Sequence, residues 1–278
     1  MKIWRKTIIG MLAAASMIFS MGLAAASTQE ITLKGDHSNL DAVVQRPDGQ
    51  ETAPLVIIMH GFGSNKDFSL LTKLADDLEK DGIATLRFDF NGHGKSGGRF
   101  QDMTVPNEIE DARDVYTYAK TLPWVTSISF AGHSQGGVVA SMLAGQLGTD
   151  KIKALALMAS APVLREDALR GNTVGATYDP LNPPETVTMP DGKTKLGRNY
   201  IKTIQNLPIY ETSAQYQGPA YMIHGTGDTI VPYTYSYLYQ RIYFNGQVKL
   251  MPGDDHFFSK DQDETAKLVA DYFDKELK

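Results

Sequence analysis

The chain has 278 residues and carries 27 Lys and Arg against 32 Asp and Glu, a formal net charge of −5 at pH 7. An acidic surface of this kind disfavours nucleic acid and anionic membranes as partners. The sequence contains no cysteine, which excludes disulfide bonds and a thiol nucleophile. The length suits one large α/β domain or two small ones, and 42% hydrophobic residues can supply the core.

Residues 1–26 have the pattern of a secretory signal peptide. Basic residues near the start are followed by an apolar stretch from Ile8 to Leu23 and by a small-residue cleavage site, Ala24-Ala25-Ala26. An uncleaved membrane anchor is the alternative, but the alanine-rich end favours cleavage. We therefore expect a secreted protein, extracellular or periplasmic, made of residues 27–278 and without stable membrane association.

The predicted elements begin with two short strands around a polar turn, Ile31–Leu33 and Leu40–Gln45, which indicate an antiparallel start to a sheet. Buried strands then alternate with amphipathic helices, in the order Pro54–Met59, helix Phe68–Lys80, Ile83–Phe90, helix Val105–Lys120, Val125–Phe130, helix Val138–Leu147 and Ile152–Met158. Continuous apolar runs are typical of strands buried on both faces. Their alternation with helices predicts right-handed βαβ units in a mostly parallel, doubly wound sheet.

The alternation stops between about residues 162 and 216, a proline-rich stretch. It contains a predicted hairpin around Pro190-Asp191-Gly192 and a short predicted helix, Arg198–Leu207. A long insertion in a compact domain is usually functional, so we expect a cap over the site. The alternation then resumes with strand Ala220–His224, the tyrosine-rich segment Pro232–Phe244, strand Val248–Met251 and helix Asp261–Leu277. For the tyrosine-rich segment we favour a helix over a strand.

The most informative motif is Gly132-His133-Ser134-Gln135-Gly136, between the third predicted buried strand and its helix. It has the pattern of a nucleophile elbow. Side chains beside the strained serine would collide with the neighbouring strand and helix, and glycines avoid this. Free N–H groups at the helix start would favour a developing negative charge. A glycine-rich turn without chemistry is the alternative; we assign Ser134 as the candidate nucleophile.

A serine hydroxyl needs a base beside it. His256 is the best of the six histidines, because it lies on a loop after the last strand with a glycine to bend it. Asp228, on the loop after the preceding strand, is the expected acid; Asp254 and Asp255 are nearer in sequence but share a tight turn with His256. The order Ser134, Asp228, His256 is that of the α/β-hydrolase fold, and all three follow strands at the carboxyl edge of the sheet.

Two backbone N–H groups are expected to form the oxyanion hole: that of Gln135, just after the nucleophile, and that of Phe62, in the turn after the first buried strand. This chemistry requires no cofactor. A metal site of His224, Asp228 and His256 is a weaker interpretation, because no close-spaced pair of ligands supports it.

The glycine-rich loop Asn91–Gly98 could be interpreted as a phosphate cradle. The Walker spacing is absent and no helix follows at once. We favour a tight loop at the edge of the active site.

From about Leu40 to the C-terminus the chain resembles the α/β-hydrolase superfamily and, more narrowly, bacterial feruloyl (cinnamoyl) esterases. The superfamily motifs are His60-Gly61-Phe62, Phe88–Gly94, Gly132–Gly137, His224–Asp228 and Gly253–Phe257. Two stretches of the insertion narrow the resemblance to the esterases: Asp167–Thr173 and Leu207–Glu211.

The resemblance implies hydrolysis of ferulate, p-coumarate or caffeate esters of plant cell-wall sugars, with a cap after the sixth strand that holds the aromatic acid. It also implies that Asp167 and Tyr200 contact the phenolic hydroxyl. A helix N-cap is the alternative role for Asp167, and packing within the cap for Tyr200. A glutamine of the family is Val174 here, which leaves the third polar contact and the preferred ring substituents open.

Two other functions stay open from the sequence. A broad short-chain carboxylesterase or lipase would use the same triad with a wholly apolar cap. A binding protein on a hydrolase scaffold is disfavoured, because such proteins usually lose a triad member. The expected partner is a small aromatic ester or a feruloylated sugar, and the oligomeric state, including a homodimer, is undetermined.

Overall fold

The structure, a computed structural model, describes residues 27–278. The predicted signal peptide, residues 1–26, lies outside the described residues. The central sheet has eight strands: β1 Ser27–Lys34, β2 Asn39–Arg46, β3 Ala53–Met59, β4 Ala84–Phe88, β5 Val125–His133, β6 Leu155–Met158, β11 Pro219–Gly225 and β12 Asn245–Met251. Their spatial order is β1-β2-β4-β3-β5-β6-β11-β12.

The pairing of the strands matches the predicted α/β fold. The first two strands are antiparallel to each other, and β2 is antiparallel to β4. All remaining pairs of this eight-stranded sheet are parallel. The carboxyl ends of β5, β11 and β12 therefore meet at one edge, where the site residues predicted from the sequence follow their strands.

Helices cover both faces of the sheet. They are α1 Ser69–Lys80, α2 Val105–Ala119, α3 Gln135–Leu147, α7 Thr234–Ile242 and α8 Gln262–Leu277. On β3, Leu55 and Ile57 face the core that includes α2 and α3, and Val56 and Ile58 face the core of α1 and α8. This alternation explains the continuous apolar run of β3, because both of its faces are buried. No helix within residues 27–278 is long and apolar enough to cross a bilayer.

The tyrosine-rich segment forms helix α7, as we favoured. Its tyrosines look like a period of two, but Tyr235 and Tyr239 are also four residues apart, which places them on one helical face, and Tyr243 follows just beyond the end of the helix. Tyr239 and Tyr243 are buried and stack on each other, whereas Tyr237 is exposed. The position of the segment between two parallel strands decides in favour of the helix.

The segment between β6 and β11 contains short elements packed on the sheet domain. They are α4 Val163–Leu169, β7 Asn172–Thr173, β8 Ala176–Thr177, β9 Thr186–Thr188, β10 Lys195–Gly197, α5 Arg198–Gln205 and α6 Ile209–Ser213. The hairpin β9–β10 and helix α5 correspond to the two elements expected there. The buried side chains of α5, Tyr200, Ile201 and Ile204, join the same core as α2 and α3.

The glycine-rich loop folds around Asp89. The Asp89 carboxylate accepts hydrogen bonds from the N–H groups of Lys66 and Lys95 and from the Lys66 ammonium. A Cβ on Gly94 would lie 2.1 Å from Asp89 Oδ2. Because a carboxylate fills the loop, the phosphate-cradle interpretation fails and the tight sheet-edge loop is confirmed.

Candidate active site

Ser134 lies at the turn between β5 and α3, in a strained backbone conformation with φ of 55° and ψ of −123°. A Cβ on Gly132 would lie 2.3 Å from the carbonyl oxygen of Gly136, and a Cβ on Gly136 would lie 2.3 Å from that of His60. Neither position can hold a larger residue without moving the backbone. The glycines of the motif are therefore needed because larger side chains would collide with the neighbouring backbone, as expected from the sequence.

The structure brings together the three residues predicted to form the triad. His256 Nε2 lies 2.9 Å from Ser134 Oγ, and His256 Nδ1 lies 2.7 Å from Asp228 Oδ2. All three residues are buried. In this geometry the imidazole can accept the serine proton while the carboxylate holds it in the required tautomer.

Asp228 is fixed by four hydrogen bonds. Its Oδ1 accepts from the N–H groups of Ile230 and Val231, each at 2.8 Å. Its Oδ2 accepts from both His256 and His224, the latter at 3.0 Å. Burial alone would raise the pKa of Asp228, but the bonds from the two histidines outweigh it and hold the pKa well below its ordinary value. The carboxylate therefore stays ionised.

The role of His224 was missed by sequence reasoning, which treated it as the end of a strand. Its Nε2 lies 3.0 Å from the carbonyl oxygen of Val231 as well as from Asp228, so Nε2 carries the proton. The hydroxyl of buried Ser236 lies 2.8 Å from Nδ1 and donates to it. The spacing of His224 and Asp228 in the motif was the available signal. No group of three potential ligands within residues 27–278 is arranged to hold a metal ion.

The two acids beside His256 shape its loop. Asp254 accepts hydrogen bonds from the N–H groups of Asp255 and Lys260, and Asp255 accepts from two N–H groups further along the loop. Their carboxylates are thus occupied by the main chain, as expected for residues that share a turn with His256.

His133 also supports the loop that carries His256. Its Nε2 lies 2.8 Å from the carbonyl oxygen of His256. Burial lowers the pKa of His133 to about 3, so the ring is neutral and can donate this hydrogen bond.

The two expected oxyanion donors flank Ser134. Gln135 is the first residue of α3, so its N–H has no acceptor within the helix. Phe62 follows Gly61, where an added Cβ would lie 2.9 Å from the Cβ of Ser134. His60 braces this turn, since its Nε2 accepts from the Phe90 N–H at 3.1 Å and its Nδ1 lies 2.8 Å from the Gly61 carbonyl oxygen. The turn therefore lies directly against the nucleophile.

A cavity of about 750 Å³ opens beside Ser134, between the sheet edge and the cap. Asp167 of α4 lines it, with a side chain 31% exposed. Burial raises the pKa of Asp167, and Arg170, 3.7 Å away, opposes the shift. Tyr235 also lines this cavity. The remaining walls are mostly apolar and include Val163, Leu164, Val231 and Pro232.

Tyr200 is not among the residues that line this cavity, and its contact with a phenolic hydroxyl stays a prediction. Its side chain is fully buried and its hydroxyl donates to Gln135 Oε1 at 2.7 Å. Its ring meets that of Phe62 edge to face, with centroids 5.7 Å apart. The packing of α5 against the core turns Tyr200 towards the nucleophile elbow instead of the cavity.

A smaller opening of about 100 Å³ also borders Ser134 and is lined by His256 and Phe257. Val174 lines both this opening and the larger cavity. It is the first turn residue of the β7–β8 hairpin, with φ of 48°, and Gly175 follows with φ of 85°. A β-branched residue at positive φ is a strained outlier.

Comparisons with known proteins agree with this geometry. The sequence profile of the family described as serine aminopeptidase S33 (Hydrolase_4) matches residues 50–179. Est1E from Butyrivibrio proteoclasticus, solved with ferulic acid bound, is 33% identical, with a TM-score of 0.85 over 88% of this chain and 98% of Est1E.

The curated relatives match over a shorter segment. An uncharacterised 31.7 kDa protein of the traX-finO intergenic region of Escherichia coli is 31% identical over 93 residues. Thiohydrolase aneE of Aspergillus aculeatus is 30% identical over 95 residues. The chain spans about a third of the length of these relatives. The match to nearly all of Est1E establishes the family: the chain belongs to the serine hydrolases and esterases of the α/β-hydrolase superfamily.

Proposed function

We propose that the protein is a serine esterase that hydrolyses esters of hydroxycinnamic acids such as ferulate, p-coumarate and caffeate. The observation that carries the proposal is the cavity beside Ser134, which combines apolar walls with the Asp167 carboxylate. An aromatic ring needs the apolar walls, and a phenolic hydroxyl needs an acceptor. The likeness to Est1E with ferulic acid bound supports the same class of acid.

The position of His256 indicates how the ester is oriented. His256 lines the small opening but is not among the residues of the large cavity. The alcohol must leave from the side of the imidazole, because His256 delivers its proton. The acyl group therefore occupies the large cavity, and the alcohol lies in the opening beside Phe257.

The reaction proceeds in two halves. Ser134 attacks the ester carbonyl as His256 takes its proton, and the N–H groups of Phe62 and Gln135 stabilise the tetrahedral oxyanion. His256 then protonates the departing alcohol and leaves an acyl group on Ser134. Water that is activated by His256 releases the acid. Asp228 orients His256 and stabilises the imidazolium in both halves.

Asp167 provides the selectivity for a phenolic acid. As a carboxylate it accepts a hydrogen bond from the phenolic O–H, and charge-assisted bonds of this kind are about twice as strong as neutral ones. The acid that results from hydrolysis leaves through the same cavity. No cofactor enters this scheme.

A short-chain carboxylesterase is the second candidate, and the apolar part of the cavity favours it. Val163, Leu164 and Val231 would accept an alkyl chain without any use of Asp167. The two candidates share the same triad and differ only in what the cavity binds.

We also propose that the enzyme acts after export, on ester-linked acids of plant cell-wall sugars. The basis is the signal-like pattern of residues 1–26. N-terminal sequencing of the protein recovered from culture medium and from periplasm tests this, and a start at Met1 in both fractions would contradict it.

Turnover of methyl ferulate against p-nitrophenyl butyrate tests the function, with Asp167→Ala measured beside the wild type. We expect the wild type to favour methyl ferulate and Asp167→Ala to lose about 10-fold in kcat/KM on that substrate, with little change on the butyrate. Glu166→Ala is the matched control, because Glu166 lies on the same helix but not in the cavity. A preference for the butyrate with an indifferent Asp167 supports the short-chain carboxylesterase instead.

A further inference from the structure

The side chain of Gln135 is held between two buried groups that the mechanism does not use. On one side, Glu108 of α2 accepts a hydrogen bond from Gln135 Nε2, with Nε2 and Glu108 Oε2 2.8 Å apart. Glu108 is 1% exposed, and burial raises the pKa of Glu108 well above its ordinary range. Burial therefore disfavours the charged form of this carboxyl, which holds the amide close to Ser134.

On the other side, the cap holds the same amide. The hydroxyl of Tyr200, on cap helix α5, donates to Gln135 Oε1 at 2.7 Å, and Tyr200 is fully buried. Both ends of the Gln135 amide are thus engaged, so its orientation is fixed. The Gln135 side chain connects a helix of the sheet domain to a helix of the cap.

Tyr200 also contacts the second oxyanion residue. Its ring packs edge to face against Phe62 at 5.7 Å, with an interplanar angle of 65°. The same tyrosine therefore touches both residues whose N–H groups flank Ser134. A donor placed a fraction of an ångström away loses much of its effect, because these bonds form fully only in the transition state.

We propose that Tyr200 and Glu108 are positioning residues of the oxyanion hole, through which the packing of the cap sets the alignment of the two N–H donors. This rests on the proposed serine-esterase mechanism but not on any particular acyl group. The cap then has two separate tasks: Asp167 selects the acid, and Tyr200 aligns the donors that stabilise the transition state.

Tyr200→Phe tests the proposal because it removes one oxygen and keeps the ring. Removal of a whole oxyanion donor costs about 10²–10³-fold in kcat. Misalignment should cost less, so we expect kcat to fall about 10-fold on methyl ferulate and p-nitrophenyl butyrate alike, with KM within about 2-fold of the wild type. The affinity for a boronic acid that mimics the tetrahedral state should fall by the same factor as kcat.

Tyr216→Phe is the matched control. Tyr216 is also fully buried, and its hydroxyl donates to a backbone carbonyl, that of Pro219, away from the elbow. This variant should lose a similar amount of thermal stability and keep its kcat. Glu108→Leu should lower kcat, and Glu108→Gln should restore it, because a glutamine carbonyl can accept the same hydrogen bond.

The results separate this proposal from the proposed function. An unchanged kcat in Tyr200→Phe overturns the positioning role, as does an equal loss in Tyr216→Phe. A rise in KM on methyl ferulate alone also overturns it and returns Tyr200 to the substrate contacts. If the wild type favours the butyrate but Tyr200→Phe still slows its turnover 10-fold, the hydroxycinnamate proposal fails and the positioning role stands.

Discussion

The two sides of Ser134 are built in different ways. On the side of the triad, Asp228 is buried and held by two main-chain N–H groups and two histidines. On the side of the cavity, Asp167 is partly exposed, and its charged neighbour Arg170 is 3.7 Å away, beyond hydrogen-bond distance. The chemistry therefore depends on a densely hydrogen-bonded network, whereas the proposed choice of substrate depends on Asp167, which can change without disturbing that network. This separation lets one fold serve many esters.

Asp228→Asn should produce the largest effect. The neutral amide can present an N–H to His256, which favours the wrong tautomer of the imidazole, and the stabilising charge is lost. We expect kcat/KM to fall about 10³–10⁴-fold. Methyl ferulate and p-nitrophenyl butyrate should lose equally, and steady-state rates on both measure this. A loss confined to one ester would show that Asp228 also selects the substrate, and it would contradict the separation of the triad from the cavity.

Acidic pH should act on the cavity side with a smaller effect. Burial raises the pKa of Asp167, so its carboxylate takes up a proton at a higher pH than an exposed aspartate does. As pH falls through this pKa, the charge-assisted bond to a phenol is lost, and the ratio of methyl ferulate to butyrate turnover should fall about three-fold. Titration of the triad changes the turnover of both esters by the same factor, so it does not alter their ratio.

The control for this pH dependence is Asp167→Asn, in which the ratio should not vary with pH. Arg170 and Tyr235 also line the cavity, and arginine and tyrosine side chains ordinarily lose their protons only at basic pH. A pH-dependent ratio that persists in Asp167→Asn would place the titrating group elsewhere.

Val174→Asn should have the smallest effect on turnover and should raise stability. Val174 and Gly175 both have positive φ, as in a type I′ turn, where asparagine followed by glycine is preferred. We expect the free energy of unfolding to rise by about 1 kcal/mol, because asparagine tolerates this conformation better than valine. Denaturant unfolding measures the gain, and kcat should change less than about 2-fold.

A lower unfolding midpoint in Val174→Asn would mean that the packing of the valine methyls outweighs the backbone strain. Val174 also borders both openings beside Ser134. A shift in the ratio of the two esters, without a shift in kcat on the butyrate, would add this residue to the cavity side of the comparison.

The triad could be predicted from the sequence, whereas much of the cap could not. The elbow, Asp228 and His256 lie on tight loops after parallel strands, where backbone geometry leaves little choice of position. The helix α7 followed from the alternation of strands and helices. By contrast, α4, the β7–β8 hairpin and α6 are too short for any hydrophobic period to be detected.

Long-range side-chain contacts could not be predicted from the sequence. The role expected for Tyr200 came from the resemblance to the esterases, and no local pattern indicates that the packing of α5 directs its hydroxyl to Gln135, 65 residues away in the chain. Tyr235 lies on the same helix as buried Tyr239, yet it lines the cavity. Such contacts depend on how elements meet in three dimensions, which no local pattern contains.

Labelling of the nucleophile tests the central claim most directly. The wild-type protein would be treated with a serine-directed fluorophosphonate, and the modified peptide identified by mass spectrometry beside Ser134→Ala and His256→Ala. We expect a single label on Ser134 in the wild type, with ester hydrolysis lost in step, and no label in either variant. A label on another residue, or full hydrolysis by a folded Ser134→Ala protein, would contradict the assignment of Ser134 as the activated nucleophile.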